Sequence, residues 1–178
     1  MEIEIRKAKL SDLEKYADLL QRTYQITYTD DKIGLKKEYF DKKYWQTQQA
    51  VEYLKSHLLN SQTKASWLAF DKNKLIGSVS CSIIDNKNAW LSGFYVDTKY
   101  QCKGIGKKLY KLVLDFVNNR DLQLEIYAHN IKTIEMYKRW GWKLDESTGN
   151  NGYYDLHWEN WPKGLSAKCM YMKLKQMK

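Results

Sequence analysis

The stretch of this chain best suited to chemistry is a short glycine-containing loop at residues 101–108, QCKGIGKK. It follows the apolar run 89–96 and opens a helical pattern, so it is predicted to join a strand to a helix. Gly104 and Gly106 permit backbone conformations in which several N–H groups converge. At a helix N-terminus the dipole adds positive potential to such N–H groups. The loop is therefore predicted to bind a ligand that carries a pyrophosphate.

Cys102 lies inside this loop and could in principle attack a carbonyl carbon. A cysteine nucleophile needs an adjacent base, and no His or Asp stands at a suitable spacing from Cys102. We therefore expect Cys102 to contribute only a backbone N–H. Cys81 and Cys169 are distant in sequence and show no metal-ligand spacing, which favours reduced thiols and no metal site.

Alternation and helical periodicity predict the elements that hold the loop in place. Strands are predicted over 2–7, 67–70, 75–84, 89–96, 122–127, 142–144 and 169–174, and helices over 13–24, 51–58, 105–116 and 131–140. The 122–127 strand follows a strand–helix unit, so it is predicted to run parallel to the 89–96 strand. Residues 149–164 are predicted to be irregular.

Three local signals refine these elements. Ser11 and Glu14 match a capping box at the start of the first helix. Gly93 interrupts the 89–96 strand and predicts a bulge or a close backbone approach. Gly141 is predicted to end the 131–140 helix in a left-handed conformation.

Size and composition predict one soluble domain spanning residues 1–178. Hydrophobic residues make up 43% of the chain and charged residues 29%, as in ordinary globular proteins. No apolar run approaches the roughly 20 residues that a membrane span needs, and the N-terminus lacks the basic start and apolar core of a signal peptide. We therefore expect a cytoplasmic protein that does not associate with membranes.

The net charge of +9 points to an anionic partner. A solvated lysine-rich surface explains most of this charge, and no arginine-rich arm is present. A nucleic-acid role is therefore disfavoured. The positive charge is densest around the glycine loop, at Lys99, Lys103, Lys107, Lys108 and Lys111.

Two motifs together resemble the signatures of the GNAT superfamily of N-acetyltransferases. Residues 101–106 fit the acetyl-CoA pattern (Gln/Arg)-x-x-Gly-x-(Gly/Ala), directly after the apolar strand. Residues 130–142, NIKTIEMYKRWGW, resemble the second signature: Asn, an apolar residue four positions on, Tyr seven positions on, then Gly and an aromatic residue. Glycine-loop matches alone are common by chance, but both motifs occur in the expected order and separation. The resemblance extends over about residues 67–144 and more loosely over the N-terminal strand and helix.

The resemblance implies an α/β (α+β) fold, with a mixed central sheet of about six or seven strands flanked by helices. It implies that acetyl-CoA binds where the fourth and fifth strands splay apart, with Phe94, Tyr95 and Val96 pairing through main-chain groups, so that their side chains are free to vary. Asn130 resembles the asparagine that bonds the pantetheine arm, although a helix N-cap role fits the sequence equally well. The implied pyrophosphate-binding residues are Gln101, Cys102, Lys103, Gly104, Ile105, Gly106 and Lys107.

The resemblance also implies catalytic roles. Tyr137 resembles the tyrosine that protonates the departing CoA thiolate, the alternative being a purely structural core tyrosine. Glu125 lies five residues before Asn130, as does the base proposed for ribosomal-protein-type relatives, but it could equally be a structural carboxylate. Some relatives carry a glutamate on the fourth strand, where this chain reads LSG at 91–93. A water chain, Asp155 or His157 therefore stay open as the base.

The resulting expectation is an N-acetyltransferase that transfers an acetyl group from acetyl-CoA to a primary amine by direct attack in a ternary complex. The acceptor could be a small molecule, a polyamine or a peptide or protein amine. Its pocket is expected to form from residues 28–64 and 149–164, whose aromatic side chains suit an amine. The alternative is a non-catalytic CoA-binding or basic-surface module, including one for nucleic acid. The resemblance also leaves a homodimer open, because relatives commonly form one.

Overall fold

Eight strands form one mixed sheet in the computed structural model, which describes residues 2–176. They are β1 (Ile3–Lys7), β2 (Lys64–Asp71), β3 (Lys74–Ile83), β4 (Asn88–Val96), β5 (Asp121–Tyr127), β6 (Lys143–Leu144), β7 (Tyr153–Leu156) and β8 (Ala167–Leu174). The order is β1-β2-β3-β4-β5-β8-β6, with β7 paired to β8. Strands β4 and β5 are parallel, as predicted, and the other pairs in this part of the chain are antiparallel. The predicted fold class is confirmed, with eight strands instead of six or seven.

Four α-helices flank the sheet: α1 (Leu13–Thr27), α2 (Gln48–Ser56), α3 (Ile105–Val117) and α4 (Ile131–Arg139). Each was predicted from its apolar periodicity, and only the ends differ by a few residues. Short 3-10 turns at Asp31–Ile33, Lys37–Phe40 and Lys42–Gln46 fill the segment between α1 and α2. This segment carries the aromatic residues for which the sequence predicted no element.

Two hydrophobic cores lie on opposite faces of the sheet, because alternate residues of a strand point to opposite sides. In β2, Trp67 and Ala69 belong to the core beneath α3. Leu68 and Phe70 belong to the other core, which α1 and the aromatic segment cover. The functional cleft described below opens between these two layers, where β4 and β5 separate.

Two local predictions were wrong. The capping box on Ser11 and Glu14 is not formed; instead the Asp12 carboxylate accepts the Lys9 N–H at 2.9 Å, and a 3-10 turn at Leu10–Asp12 leads into α1. The 149–164 segment is not irregular throughout, because β7 forms within it by pairing with β8. The left-handed Gly141 after α4 was predicted correctly, with φ +89°.

An ion pair between Arg6 and Asp12 ties β1 to the start of α1. The Arg6 guanidinium donates to both Asp12 carboxylate oxygens, at 2.7 and 2.8 Å, and the Asp12 side chain is only 6% exposed. The hydrogen bond from Arg6 is the main cause that holds the pKa of Asp12 below its usual value. We expect Asp12→Asn to destabilise the fold by about 2 kcal/mol at neutral pH, since charge-assisted hydrogen bonds contribute roughly 1.5–3 kcal/mol.

The pH dependence of this effect follows from the direction of the shift. The Asp12 contribution is complete above the unfolded-state pKa of about 3.9 and is lost as the pH falls through the lower folded-state value. Urea unfolding at pH 7 and at pH 3 should therefore show a wild-type advantage that shrinks in acid. Glu4→Gln is the control, because Glu4 is 64% exposed and lies 3.8 Å from Arg6. An equal loss of stability for the two variants at pH 7 would contradict this account.

Across residues 2–176 no helix is both long and apolar enough to cross a membrane. All three cysteines are free thiols: Cys81 and Cys169 are buried, and Cys102 is exposed. Met1, Met177 and Lys178, at the ends of the predicted 1–178 domain, lie outside the described residues.

Candidate active site

The cleft at the centre of the site exists because β4 and β5 pair over only part of their length. The parallel pairing extends from Asn88–Asp121 to Trp90–Gln123 and stops there. Beyond that point the two strands diverge and leave main-chain groups of β4 without a β5 partner. The resulting cleft has a volume of about 110 Å³. This is the splay that the sequence resemblance implied.

Gly93 lies at the point of divergence and bends β4. Its φ is +57°, and the β3–β4 register shifts between Ser78 and Ser80, as in a β-bulge. A Cβ atom at Gly93 would lie 2.9 Å from the Tyr16 hydroxyl oxygen and 3.1 Å from His57 Cδ2. Only glycine fits this position, so the bulge predicted there is confirmed and its cause is steric.

The glycine loop ends at the N-terminus of α3, as predicted. Gly104 is the residue before the helix and has φ +80°, which glycine adopts without strain. The amides of residues 104–107 donate to no acceptor within residues 2–176, as expected for the first turn of a helix. A Cβ at Gly106 would meet Phe94 and Val96 at 3.7 and 3.9 Å, ordinary contact distances. A Cβ at Gly104 would meet no atom within 4 Å, so the protein leaves space at the start of this turn.

Asp97 fixes the end of β4 next to this loop. Its buried carboxylate accepts the Lys99 N–H at 3.1 Å, lies 3.2 Å from Lys74 Nζ, and receives Arg22 Nε of α1 at 3.2 Å. Burial acts to raise the pKa of Asp97, but the Lys99 amide and the Lys74 ammonium outweigh it and hold the pKa below its usual value. Gln101 adds a second tie, because its Nε2 donates to the Val96 carbonyl at 3.1 Å.

Asn130 occupies the N-cap position of α4, but its side chain makes no capping hydrogen bond. Its backbone carbonyl accepts the amides of Thr133 and Ile134, both at 3.1 Å. The side-chain amide has no hydrogen-bond partner in the described chain and lines the cleft. Of the two roles open from the sequence, the geometry therefore favours contact with a ligand over helix capping.

Tyr137 lies about two helical turns after Asn130 on α4 and lines the same cleft. It is 5% exposed and packs edge-on against Trp142, with ring centroids 5.3 Å apart. Its hydroxyl has no hydrogen-bond partner within residues 2–176. Burial raises the pKa of Tyr137 well above its ordinary value, so the phenol stays protonated at neutral pH. Tyr137 can therefore donate a proton into the cleft.

Glu125 reaches the cleft from β5, on the strand face opposite Leu124 and Ile126, as predicted. Tyr154 of β7 donates a hydrogen bond to Glu125 Oε2 at 2.7 Å. The Tyr154 ring stacks on Tyr171, with centroids 5.0 Å apart, and Tyr171 is the cross-strand partner of Glu125. Burial, and after it the bond to Glu125, raises the pKa of Tyr154 above its ordinary value. The Tyr154 hydroxyl thus holds one carboxylate oxygen of Glu125 in place by a hydrogen bond.

The side chains of Phe94 and Tyr95 are more constrained than expected. The Tyr95 hydroxyl lies 2.7 Å from the Tyr24 hydroxyl, and the two rings pack 5.2 Å apart. Phe94 stacks on Tyr110, with centroids 6.2 Å apart. Phe94, Tyr95 and Val96 all line the cleft, but the first two side chains also hold the surrounding layers together and are not free to vary.

The remaining alternatives for the base do not line the cleft. His157 Nδ1 donates to the Leu165 carbonyl at 2.8 Å, and His157 lines a separate cavity. Asp155 pairs with Lys168 across β7 and β8 and lines neither cavity described here. Within residues 2–176 no group of three or more His, Cys, Asp or Glu side chains is placed to hold a metal ion.

Sequence reasoning missed two groups of residues at this site. Tyr154 was missed because β7 was not predicted, and its pairing with Glu125 spans 29 positions. Tyr24, Tyr28 and Tyr127 form a packed aromatic layer beside the cleft, with Tyr28 and Tyr127 stacked 4.3 Å apart. Tyr24 was identified only as part of an apolar helix face. The excess of tyrosines, 14 in the chain, was the one available signal.

Splayed parallel strands and a protonated phenol in one cleft, with open amides at the helix start beyond Gln101, form a site suited to a phosphate-bearing ligand and a proton transfer. The family model described as "Acetyltransferase (GNAT) family" matches residues 15–142. The chain belongs to this family. The predicted family and enzyme class, an acyltransferase acting on amines, are confirmed.

Three similar proteins illustrate the family. Spermidine N(1)-acetyltransferase of Thermoplasma acidophilum is 26% identical over 166 residues, which cover 90% of this chain and all of that protein. Spermine/spermidine N(1)-acetyltransferase of Bacillus subtilis is 35% identical over 74 residues, 38% of this chain and about half (49%) of that protein. The crystal structure of PaiA N-acetyltransferase from Thermoplasma acidophilum in complex with coenzyme A superposes with a TM-score of 0.71 at 23% identity, covering 99% of this chain and 100% of that one. This last likeness shows the fold.

Proposed function

We propose that this protein transfers an acetyl group from acetyl-CoA to a primary amine by direct attack in a ternary complex. The observation that carries the proposal is that Asn130, Tyr137, Glu125 and Gln101 line one cleft. Glu125 comes from β5, Asn130 and Tyr137 from the N-cap and body of α4, and Gln101 from the loop before α3. Two of them, Asn130 and Tyr137, present polar atoms that have no partner within residues 2–176.

The residues of the cleft fit acetyl-CoA at each of its parts. The open amides of residues 104–107 suit a pyrophosphate, helped by the dipole of α3. The unpaired stretch of β4 suits the amides of the pantetheine arm, and the Asn130 side chain offers a further donor and acceptor. Bound acetyl-CoA would supply an activated acyl group as a thioester.

The protein's own residues supply the proton transfers. Glu125, with one oxygen held by Tyr154, accepts a proton from the attacking amine. Tyr137 donates its hydroxyl proton to the sulfur that departs. Burial of Tyr137 keeps this proton in place until the thiolate forms. The products are an N-acetylated amine and free CoA, and no covalent enzyme intermediate is required.

The acceptor is a primary amine whose identity the cleft alone does not specify. The relatives from Thermoplasma and Bacillus are named for spermidine and spermine, which makes polyamines one candidate class. Small monoamines and peptide amines are the others. The homodimer left open by the resemblance stays a prediction.

Acetyl-CoA binding is tested by a matched pair of variants at Gly106. Saturating acetyl-CoA at about 100 times Kd should stabilise the wild type by ~2.7 kcal/mol, a rise in Tm of roughly 5–10 °C. Gly106→Ala should keep this shift, because a Cβ there has ordinary contacts. Gly106→Val should fold but bind acetyl-CoA at least tenfold more weakly, because its methyl groups would lie against Phe94 and Val96, whose side chains line the cleft.

Two outcomes of this experiment would count against the proposal. No Tm shift in the wild type at millimolar acetyl-CoA would show that acetyl-CoA is not the co-substrate. A normal shift without release of CoA thiol for any amine would favour the non-catalytic CoA-binding alternative. Calorimetric titration of both Gly106 variants provides the affinities, and circular dichroism verifies their folding.

A further inference from the structure

A second cavity, of about 520 Å³, lies beside the cleft. Tyr, Phe and Trp side chains form most of its wall, among them Phe40, Trp45, Trp158 and Trp161. They come from the 3-10 turns between α1 and α2 and from the segment after β7. This volume lies within the range of small-molecule sites, about 300–1,000 Å³. Both segments were expected from the sequence to form the acceptor pocket.

The cavity is one aromatic layer away from the cleft. Tyr24 lines the cavity, and its hydroxyl lies 2.7 Å from that of Tyr95, which lines the cleft. Trp158 lines the cavity and donates from Nε1 to the Tyr127 hydroxyl at 3.0 Å. Tyr53 also lines the cavity. Tyr127 is two residues from Glu125 on β5, so the cavity lies close to the proposed base.

Several polar groups of the wall are bound to the protein itself. His157 Nδ1 donates to the Leu165 carbonyl at 2.8 Å, and Asn160 Nδ2 donates to the Tyr39 carbonyl at 2.9 Å. The indole N–H of Trp158 is bound to a tyrosine of β5, as described above. The buried indole N–H of Trp45 has no partner among the described residues. The wall therefore offers a ligand mainly aromatic faces and edges, which suit apolar and aromatic groups, and one free indole donor.

The charges around the cavity limit the charge of its occupant. Glu159 is the only acidic side chain that lines it among the described residues. Lys43 Nζ lies 4.9 Å from the centroid of Tyr44, a ring of the wall, and the chain carries a net charge of +9. An ammonium in an apolar pocket needs a counter-charge, because cation–π contacts recover only about 0.5–2 kcal/mol of its desolvation. A single carboxylate in the wall can balance no more than one positive charge.

We propose that this cavity holds the non-reacting body of the acceptor amine, and that this body is aromatic or otherwise apolar and carries at most one positive charge. An arylalkylamine meets this description and a long polyamine does not. The inference rests on the proposed acetyl transfer, and it separates this chain from the relatives named for spermidine and spermine. The primary amine of such an acceptor would extend past Tyr53 toward Glu125.

The test compares acceptors on the full chain with saturating acetyl-CoA. Release of CoA thiol gives kcat/KM for phenethylamine, tryptamine, spermidine and spermine. We expect both arylalkylamines to exceed spermine by at least tenfold. Equal or higher kcat/KM for spermidine or spermine would overturn the inference and leave the proposed acetyl transfer intact.

A pair of variants connects the preference to the cavity. Tyr44→Ala removes a half-buried ring of the wall and should raise KM for phenethylamine at least fivefold, with Kd for acetyl-CoA unchanged. Phe116→Ala is the control: its half-buried ring packs against Trp67, with centroids 5.9 Å apart, in the core on the other face of the sheet. Equal effects of the two variants on KM would contradict the assignment of the cavity.

Direct binding keeps this inference distinct from the catalytic proposal. Phenethylamine is titrated calorimetrically into the protein with CoA present, for the wild type and for Tyr44→Ala. Binding that weakens at least fivefold in Tyr44→Ala, without turnover of any amine, would support the cavity and refute the acetyl transfer. The absence of phenethylamine binding to the wild type would refute the cavity assignment itself.

Discussion

Replacing Tyr137 by phenylalanine should lower kcat by at least about 10²-fold while leaving the Kd for acetyl-CoA and the stability of the fold almost unchanged. General acid catalysis contributes typically 10²–10⁴-fold, and Tyr137 is the buried phenol in the cleft that offers a proton. Its hydroxyl bonds to no other group within residues 2–176, so its removal breaks no hydrogen bond of the fold. The measurement is steady-state release of CoA thiol, with calorimetric Kd and urea unfolding beside it.

Tyr110→Phe is the matched control for this prediction. Tyr110 is also a buried tyrosine next to Phe94, but its hydroxyl accepts the Trp142 indole N–H at 2.9 Å. We expect this variant to lose about 1–3 kcal/mol of stability, because a buried donor is left unsatisfied, and to keep kcat within about twofold. The opposite pattern, with kcat reduced by Tyr110→Phe and not by Tyr137→Phe, would remove the acid role of Tyr137.

The pH dependence follows from the burial of Tyr137. Because burial raises the pKa of Tyr137 above its ordinary value, the phenol stays protonated through the neutral and moderately alkaline range. Any decrease in the wild-type kcat between pH 7 and pH 9 should therefore also be seen in Tyr137→Phe, because Tyr137 does not lose its proton in this range. This pattern also distinguishes a proton donor from a tyrosinate base, which would gain activity as the pH rises.

The parts of this protein that the sequence predicted are those whose structural requirements are local. Gly104 must adopt φ +80° at the start of α3, and a glycine followed by an apolar helical pattern indicates this directly. The parallel β4–β5 pair followed from chain order and the handedness of crossovers. Gly93 predicted a bulge, although the tyrosine and histidine that exclude a side chain there could be identified only in three dimensions.

The parts that the sequence did not predict depend on pairing between distant segments. The β7 residues, YYDL at 153–156, lack a clear alternating pattern and become a strand by pairing with β8. The first helix was predicted to start with a Ser11 cap, but the Asp12 carboxylate instead accepts hydrogen bonds from Arg6 at this helix start. The role of Asn130 could not be predicted from the sequence, because an asparagine at this position suits both helix capping and ligand binding. The structure favours ligand binding, because the Asn130 side chain makes no capping hydrogen bond.

This dependence on distant pairing has a direct consequence for the proposed base. The carboxylate of Glu125 is exposed to the cleft, yet one of its oxygens is held by Tyr154, whose ring is in turn stacked on Tyr171. A carboxylate that accepts one fixed hydrogen bond keeps its second oxygen for the amine and cannot rotate freely. Tyr154 therefore acts as a positioning residue for the base, without touching the reacting atoms.

Glu125→Gln and Tyr154→Phe should consequently have different signatures. Glu125→Gln removes the proton acceptor and should lower kcat/KM by about 10²-fold, with the Kd for acetyl-CoA unchanged. Tyr154→Phe should lower kcat/KM less, by about tenfold, with the folded fraction and the Kd for acetyl-CoA unchanged. The loss is expected because the variant lacks the hydrogen bond that orients the Glu125 carboxylate.

A double-mutant comparison decides between a positioning role and a merely structural one for Tyr154. If Tyr154 acts through Glu125, Tyr154→Phe should lower kcat/KM no further when Glu125 is already glutamine. A structural role would lower kcat/KM by the same factor in both backgrounds. Tyr153→Phe, at the neighbouring position of β7, is the control and should leave kcat/KM within about twofold. If Glu125→Gln retained wild-type kcat/KM, the base would have to be a water chain or another group. In that case the bond between Tyr154 and Glu125 would serve only to join β7 to β5.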